Sequence, residues 1–267
     1  MTLTTTKVDE VTALIDQLAA NARSAQAELG ISSFVKRKSA LLETAKIIRA
    51  QSLELLAVNK KDLLTASQSG LHPAFIDRLK LTESRIEGMA AGLEAITEQN
   101  DPLGVELERW KRPNGLDICR QSTALGVIGV IYESRPNVTI DAAGLCVLSG
   151  NAVILRGGSD SKYTSEKLSE AIVHGLQKAS LPRTAVQIVP TTDRAAVGAM
   201  LSAADKIDVI IPRGGKSLVE RVKREARVPV FAHLEGICHL YIDKDADLEK
   251  ARSITINAKM RRTGICG

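Results

Sequence analysis

Aromatic side chains are nearly absent: three Phe, three Tyr and one Trp in 267 residues, 3% of the chain. Hydrophobic residues still make up 44%, enough for a sizeable core, so that core has to be built from Leu, Ile, Val and Ala. Such a composition suits α/β layers with Val/Ile-rich parallel strands. Cysteine is also sparse. Cys119, Cys146, Cys238 and Cys266 lie far apart with no CxxC pair, which argues against a metal site and for thiols that stay free in a reducing, cytoplasmic setting. No apolar run is long enough to span a membrane, and the N-terminus carries no basic-then-apolar signal. Neither sign of charge dominates: 36 Lys+Arg stand against 31 Asp+Glu, a net charge of +5. The densest basic groups, Lys36-Arg37-Lys38 and Arg221 to Arg227, fall at helical spacing and read as solvated helix faces rather than a nucleic-acid surface. The same balance suits an anionic small molecule. The dinucleotide fingerprint GxGxxG is missing too; Gly126-Val127-Ile128-Gly129 is only a short glycine-containing strand.

What is present is a change of texture near residue 105. The first hundred residues are helical in pattern, with Val8, Val11, Leu14, Ile15 and Leu18 on one face and Gly30 ending the first helix. Ser32 or Ser33 can cap the next, whose apolar face is Leu41, Leu42, Ala45 and Ile48. Leu107 to Arg112 and Leu116 to Ser122 then flank Pro113-Asn114-Gly115, a strong hairpin signal. From Gly126 strands alternate with helices. The expected strands are Val127–Tyr132, Ala152–Leu155, Val186–Val189, Ile207–Ile211, Val228–Phe231 and His239–Ile242. The expected helices are Thr139–Leu148, Ser165–Ala179, Arg194–Leu201, Lys216–Glu225 and Leu248–Ala258. This βαβ rhythm predicts an α/β fold with an open, doubly wound parallel sheet, a helical N-terminal region and a projecting hairpin.

Four places carry chemistry, each with a plain alternative. Arg156 ends a strand before Gly157-Gly158-Ser159, which fits a phosphate contact or an ordinary strand-end turn with a surface arginine. Arg213-Gly214-Gly215-Lys216-Ser217 follows a strand and opens a helix, where backbone N–H groups favour an anion; it lacks P-loop spacing, and a tight turn without function stays open. Asn137, just after Pro136, reads on its own as a helix N-cap. Cys266 reads on its own as a cysteine without function.

Longer segments shift these readings. Leu125 to Thr139, with its run Glu133-Ser134-Arg135-Pro136-Asn137, closely resembles a signature of the gamma-glutamyl phosphate reductase family, within the aldehyde dehydrogenase superfamily. So do Ser149 to Gly158 and Ile211 to Gly215, while the final Asn257 to Gly267 resembles the strand-to-loop turn that presents the nucleophilic cysteine in that superfamily. The resemblance covers essentially the whole chain. It implies NADPH-dependent reduction of L-glutamyl 5-phosphate to glutamate 5-semialdehyde and phosphate, a step of proline biosynthesis. It implies Cys266 as the nucleophile that forms a thioester, its pKa lowered by Lys259, Arg261 and Arg262. Asn137 is implied as an oxyanion donor. Arg156, Gly157, Gly158 and Ser159, with Arg213, Gly214 and Gly215, are implied around the cofactor. Arg135 is a candidate for the substrate carboxylate. Glu235 resembles the water-activating glutamate of hydrolytic relatives, a role that an acyl-phosphate reductase does not need. The resemblance further implies a homo-oligomer and a functional link to glutamate 5-kinase.

The implied organisation is 1–104 as the helical part of a cofactor domain, 105–124 as an oligomerisation flap, 125–254 as the NADP-binding α/β domain and 255–267 as the start of a catalytic domain. Members of that family continue well beyond the cysteine, so this chain alone is expected to bind cofactor with little or no turnover. A general aldehyde dehydrogenase is the enzymatic alternative and a nucleotide-binding fragment the non-enzymatic one. The Glu-Ser-Arg-Pro-Asn run and the Arg-Gly-Gly turns argue against the former.

Overall fold

The computed structural model describes residues 2–232 and 236–260, in two compact units, 1–232 and 233–267. In the first, five helices come before any strand: α1 (Thr2–Gly30), α2 (Phe34–Ala50), α3 (Ser52–Gln68), α4 (Pro73–Leu79) and α5 (Glu83–Thr97). Their ends follow local chemistry. Ser33 accepts from Lys36 N–H at the start of α2, and Thr82 accepts from Arg85 N–H at the start of α5. Pro73 opens α4, where its missing N–H costs nothing.

The hairpin pairs β1 (Glu106–Lys111) with β2 (Asp117–Gln121), each starting one residue from its expected position or ending one short of it. All of β1 is exposed, including Leu107 and Trp110.

The parallel sheet contains β3 (Val127–Tyr132), β4 (Ala152–Arg156), β5 (Val186–Ile188) and β6 (Val209–Arg213) in the order β5-β4-β3-β6. Helices α6 (Asn137–Leu148), α7 (Lys162–Lys178), α8 (Ala195–Ser202) and α9 (Lys216–Glu225) connect or follow them. Alternate residues of each strand enter two separate cores. Ile128, Val130, Tyr132, Val153 and Leu155 face the core shared with α2, α5, α6 and α7. Val127, Ile131, Ala152 and Ile154 face the core shared with α1, α8 and α9. The sheet is therefore covered on both sides, as expected of a doubly wound fold.

Two expected strands are not strands. Val228–Phe231 contributes a single bridge, Val230 to Ile210, beyond β6. His239–Ile242 has no regular structure, and Leu240, Tyr241 and Ile242 are exposed. A strand exists only where a partner accepts its backbone hydrogen bonds, and none lies beside it among the described residues of the second unit. That unit's regular element is α10 (Leu248–Lys259), capped by Asp247.

Two buried polar groups tie helices together. Arg37, 2% exposed, donates to the Leu148 carbonyl at the end of α6 and to both Asp101 carboxylate oxygens, at 2.9 and 3.1 Å. Asp62 of α3 reaches the start of α7, accepting from Tyr163 N–H (3.2 Å), Thr164 N–H (2.8 Å) and Thr164 Oγ1 (2.6 Å). Burial pushes its carboxyl above the usual range, against the pull of those donors.

Helices α2 and α7 meet most closely at Gly175, where a Cβ would fall 2.6 Å from the Ala40 carbonyl and collide with Thr44 Oγ1. At Gly198, in α8, a Cβ would meet no heavy atom within 4 Å. Gly175→Ala is expected to cost about 1–3 kcal/mol through overpacking against backbone. Gly198→Ala is expected to stabilise by about 0.5–1 kcal/mol through helix propensity. Urea unfolding midpoints of the two variants check this; shifts in the same direction would contradict the packing described.

Candidate active site

The predicted site residues that can be located lie at the carboxyl ends of the parallel strands. The chain runs outward from β3 to β4 to β5, then crosses to lay β6 on the other side of β3. The strand order therefore reverses between β3 and β6, where an open α/β sheet leaves a crevice for a ligand.

Glu133, directly after β3, spans that reversal. Its N–H donates to the Arg213 carbonyl (3.2 Å), and its carboxylate accepts from Gly215 N–H (2.8 Å) at the start of α9. A Cβ on Gly214 would lie 2.5 Å from that carboxylate, so the turn closes on Glu133 only with glycine there. The helix start expected to be open to an external anion thus holds an internal one. Ser134 follows with a left-handed φ of +42°, uncommon for a residue with a side chain. It is buried, and its hydroxyl donates to the Asp160 carboxylate.

Asn137 is not an N-cap. Pro136 takes that position with φ −60° and ψ −30° and makes no side-chain cap, so Asn137 is the first residue of α6. Its Nδ2 donates to Asp141 Oδ2, one turn on, at 2.9 Å. Close packing raises the Asp141 carboxyl above the usual range although its surface stays accessible; the Asn137 hydrogen bond and the Arg213 charge pull the other way. One amide N–H is held there and the second is left for another acceptor. Arg135 and Arg213 are both exposed beside this cluster.

Arg156 is not a surface arginine. It is 8% exposed and spends its guanidinium on backbone carbonyls: Nη1 to Gly157 (2.8 Å), Nη2 to Thr192 (2.9 Å) and Asp193 (3.4 Å). Its Nε is buried without a partner. Burial, then the nearby charges of Arg194 and Arg221, hold its pKa below that of a free guanidinium. A Cβ on Gly157 would lie 3.0 Å from the Tyr132 hydroxyl, and Ser159 opens a 3-10 turn, Ser159–Ser161, leading into α7. The structure thus brings residues 133–137, 156–159 and 213–215 to one edge of the sheet.

Cys266, Arg261, Arg262 and Glu235 lie outside the described residues. Lys259 donates to the Cys238 carbonyl at 2.7 Å. Cys146 sits in the core, its thiol pushed up to about 12 by burial, and has no chemistry to offer. Among the described residues no three His, Cys, Asp or Glu side chains form a metal cluster, and no helix is long and apolar enough to cross a membrane. Glu133 and Ser134 lie within the signature run but sequence alone gives them no role, and Asp141, Asp160 and Arg194 belong to this edge with no sequence signal beyond nearness to the motifs.

The sequence pattern of the aldehyde dehydrogenase family matches residues 3–266. This chain belongs to that family. Within it, the chain is 55% identical over 260 residues to the gamma-glutamyl phosphate reductase of Brucella anthropi, covering 97% of this chain and 61% of that one. The crystal structure of gamma-glutamyl phosphate reductase from Thermotoga maritima superposes with a TM-score of 0.87 at 35% identity, over 95% of this chain and 61% of that one. The enzyme of the same name from Saccharomyces cerevisiae gives a TM-score of 0.76 at 32% identity, over 92% and 63%. The chain therefore spans about three fifths of the length of these family members.

The Asn137–Asp141 contact can be read directly in solution. The Asn137 side-chain amide resonances are expected to titrate with an apparent pKa above the ordinary aspartate value of about 3.9, because Asp141 accepts well only when ionised. The hold is present above that pKa and lost below it. In Asp141→Asn the titration should vanish; amide signals that follow pH unchanged in that variant would refute the pairing.

Proposed function

We propose that the protein carrying this chain reduces L-glutamyl 5-phosphate to glutamate 5-semialdehyde and phosphate with NADPH, a step of proline biosynthesis in the cytoplasm. The observation that carries the reading is the meeting of the Glu133–Asn137 segment and the Arg213–Gly215 turn at the strand reversal, in a chain 55% identical to a gamma-glutamyl phosphate reductase over 97% of its length.

The residues at this edge of the sheet fit a nicotinamide dinucleotide. A buried cation at the end of β4 braces a glycine pair, and the reversal beside β3 opens a crevice. Gly157, Gly158 and Ser159, braced by Arg156, would hold the adenosine end, and the Arg213–Gly215 turn would line the crevice. When bound, NADPH supplies the hydride that takes the acyl group down to the aldehyde.

The chain's own residues do the rest. The Cys266 thiolate attacks the acyl phosphate; the carbon–sulfur bond forms as the bond to phosphate breaks, leaving a thioester. Asn137 offers its free amide N–H to the oxyanion of each tetrahedral stage. Asp141 fixes the direction of that N–H. Arg135, exposed beside Asn137, is the candidate for the substrate carboxylate. In an aldehyde-releasing reaction Glu235 has no water to activate. The fully exposed β1, with Leu107 and Trp110 at its surface, supports a hairpin that pairs with other copies in a homo-oligomer. The acyl phosphate has to be supplied by a kinase acting on the same carboxylate, hence the functional link to glutamate 5-kinase.

Run from the aldehyde side, reduction of NADP by glutamate 5-semialdehyde is expected to require phosphate. Cys266→Ala should lower turnover by at least about a thousandfold and leave NADPH binding intact. Asn137→Ala should lower kcat by about 10²–10³ with little change in KM. Phosphate-independent oxidation would assign the site to a hydrolytic aldehyde dehydrogenase. NADPH binding with no turnover by these 267 residues would leave them with the cofactor role only.

A further inference from the structure

We propose that Arg194, rather than Arg156, recognises the 2′-phosphate of the dinucleotide and sets a preference for NADPH over NADH. The inference rests on the cofactor reading above.

Arg156 stands where a phosphate contact was expected, but both of its terminal nitrogens are held by backbone, and the Nε left without a partner is itself buried. Three backbone carbonyls, of Gly157, Thr192 and Asp193, take its two terminal nitrogens, and the residue is almost wholly buried. Swinging it toward a ligand would leave those carbonyls unsatisfied. Arg156 is therefore a positioning residue.

What it positions is the loop that ends in Arg194. Asp193 N–H donates to Thr191 Oγ1 (3.1 Å), and Ala195 N–H donates to Asp193 Oδ1 (2.9 Å), so the backbone on both sides of Arg194 is held. The Arg194 side chain itself is exposed and makes no hydrogen bond or ion pair among the described residues.

The local field favours an anion. The charges of Arg194 and Arg221 both bear on Arg156, so three cations share this end of the sheet. Arg221 is paired with Glu225 at 2.8 Å, and the Asp193 carboxylate is occupied by the α8 start. Arg194 is left without a counter-charge. An exposed arginine without a counter-charge favours a phosphate over a hydroxyl, because a guanidinium gives a phosphate two charge-assisted bonds.

The test uses the 267-residue chain and four probes: NADPH and NADH by fluorescence titration, adenosine 2′,5′-bisphosphate and 5′-AMP by calorimetry. Wild type is expected to bind NADPH and the bisphosphate more tightly than their counterparts. Arg194→Ala should weaken those two by at least about tenfold and leave NADH and AMP unchanged, at an unaltered melting temperature. Arg194→Lys should keep part of the preference through its charge. An unchanged NADPH-to-NADH ratio in Arg194→Ala, or a wild type that does not discriminate, overturns the inference while the cofactor reading stands. A wild type that binds none of the four probes overturns both.

Discussion

Strand β3 is buried along all six of its residues, and the polar backbone groups at its two ends have to be satisfied from elsewhere, by side chains at one end and by the neighbouring strand's backbone at the other. At the amino end, Gly126 N–H donates to Asn151 Oδ1 at 2.8 Å and Val127 N–H to Asp208 Oδ2 at 2.6 Å, with Asp208 itself paired to Arg23 of α1. At the carboxyl end Glu133 does the equivalent work, joining the end of β6 and the start of α9. Without these links the central strand could not be covered by helices on both faces. The demand of a buried strand therefore gathers polar residues at the sheet's edges, and one of those edges is where the strand order reverses.

Among the described residues two guanidiniums are buried, and they are handled differently. Arg37 meets the end of α6, where the helix dipole is negative, and it meets a carboxylate, so its charge is matched. Arg156 meets only carbonyls and keeps its charge unmatched by any bonded acid. A buried ion without a bonded counter-ion is costly, and the depressed Arg156 pKa reflects that cost together with its cationic neighbours. For stability alone the Arg37 solution is the better one. What the Arg156 arrangement gives instead is a fixed loop, because its guanidinium ties residues 192–193 to the end of β4.

Much of this was legible in the sequence. Hydrophobic period alone located β3 and α9 at their observed limits, and Asn-Gly marked the hairpin. It failed where a pattern depends on a partner. Val228–Phe231 and His239–Ile242 have strand-forming residues, but pairing is a property of two segments. The cap reading of Asn137 failed because Pro136 already has helical dihedrals, which moves the helix start forward and sends the amide down the helix to Asp141. At the site, the motifs marked the right turns and missed how they are held. Glu133 and Gly215 are 82 residues apart, Asp62 and Thr164 are 102 apart, and no local period encodes such contacts. The burial of Arg156 is likewise a consequence of residues 192–193 folding over it.

Those long-range contacts also divide the electrostatic work along the edge. The dipole of α9 is spent on Glu133, a carboxylate of the chain itself, which locks the Arg213–Gly215 turn. The start of α8 is spent on Asp193 in the same way. Two helix starts that offer N–H groups are thus occupied, and what this edge still presents is side-chain charge: Arg194 near β4 and Arg213 near Asn137. Backbone N–H groups cannot move apart from the fold, whereas exposed arginines can. On the proposed cofactor reading, charge recognition at this edge falls to adjustable side chains mounted on turns that internal carboxylates have already fixed.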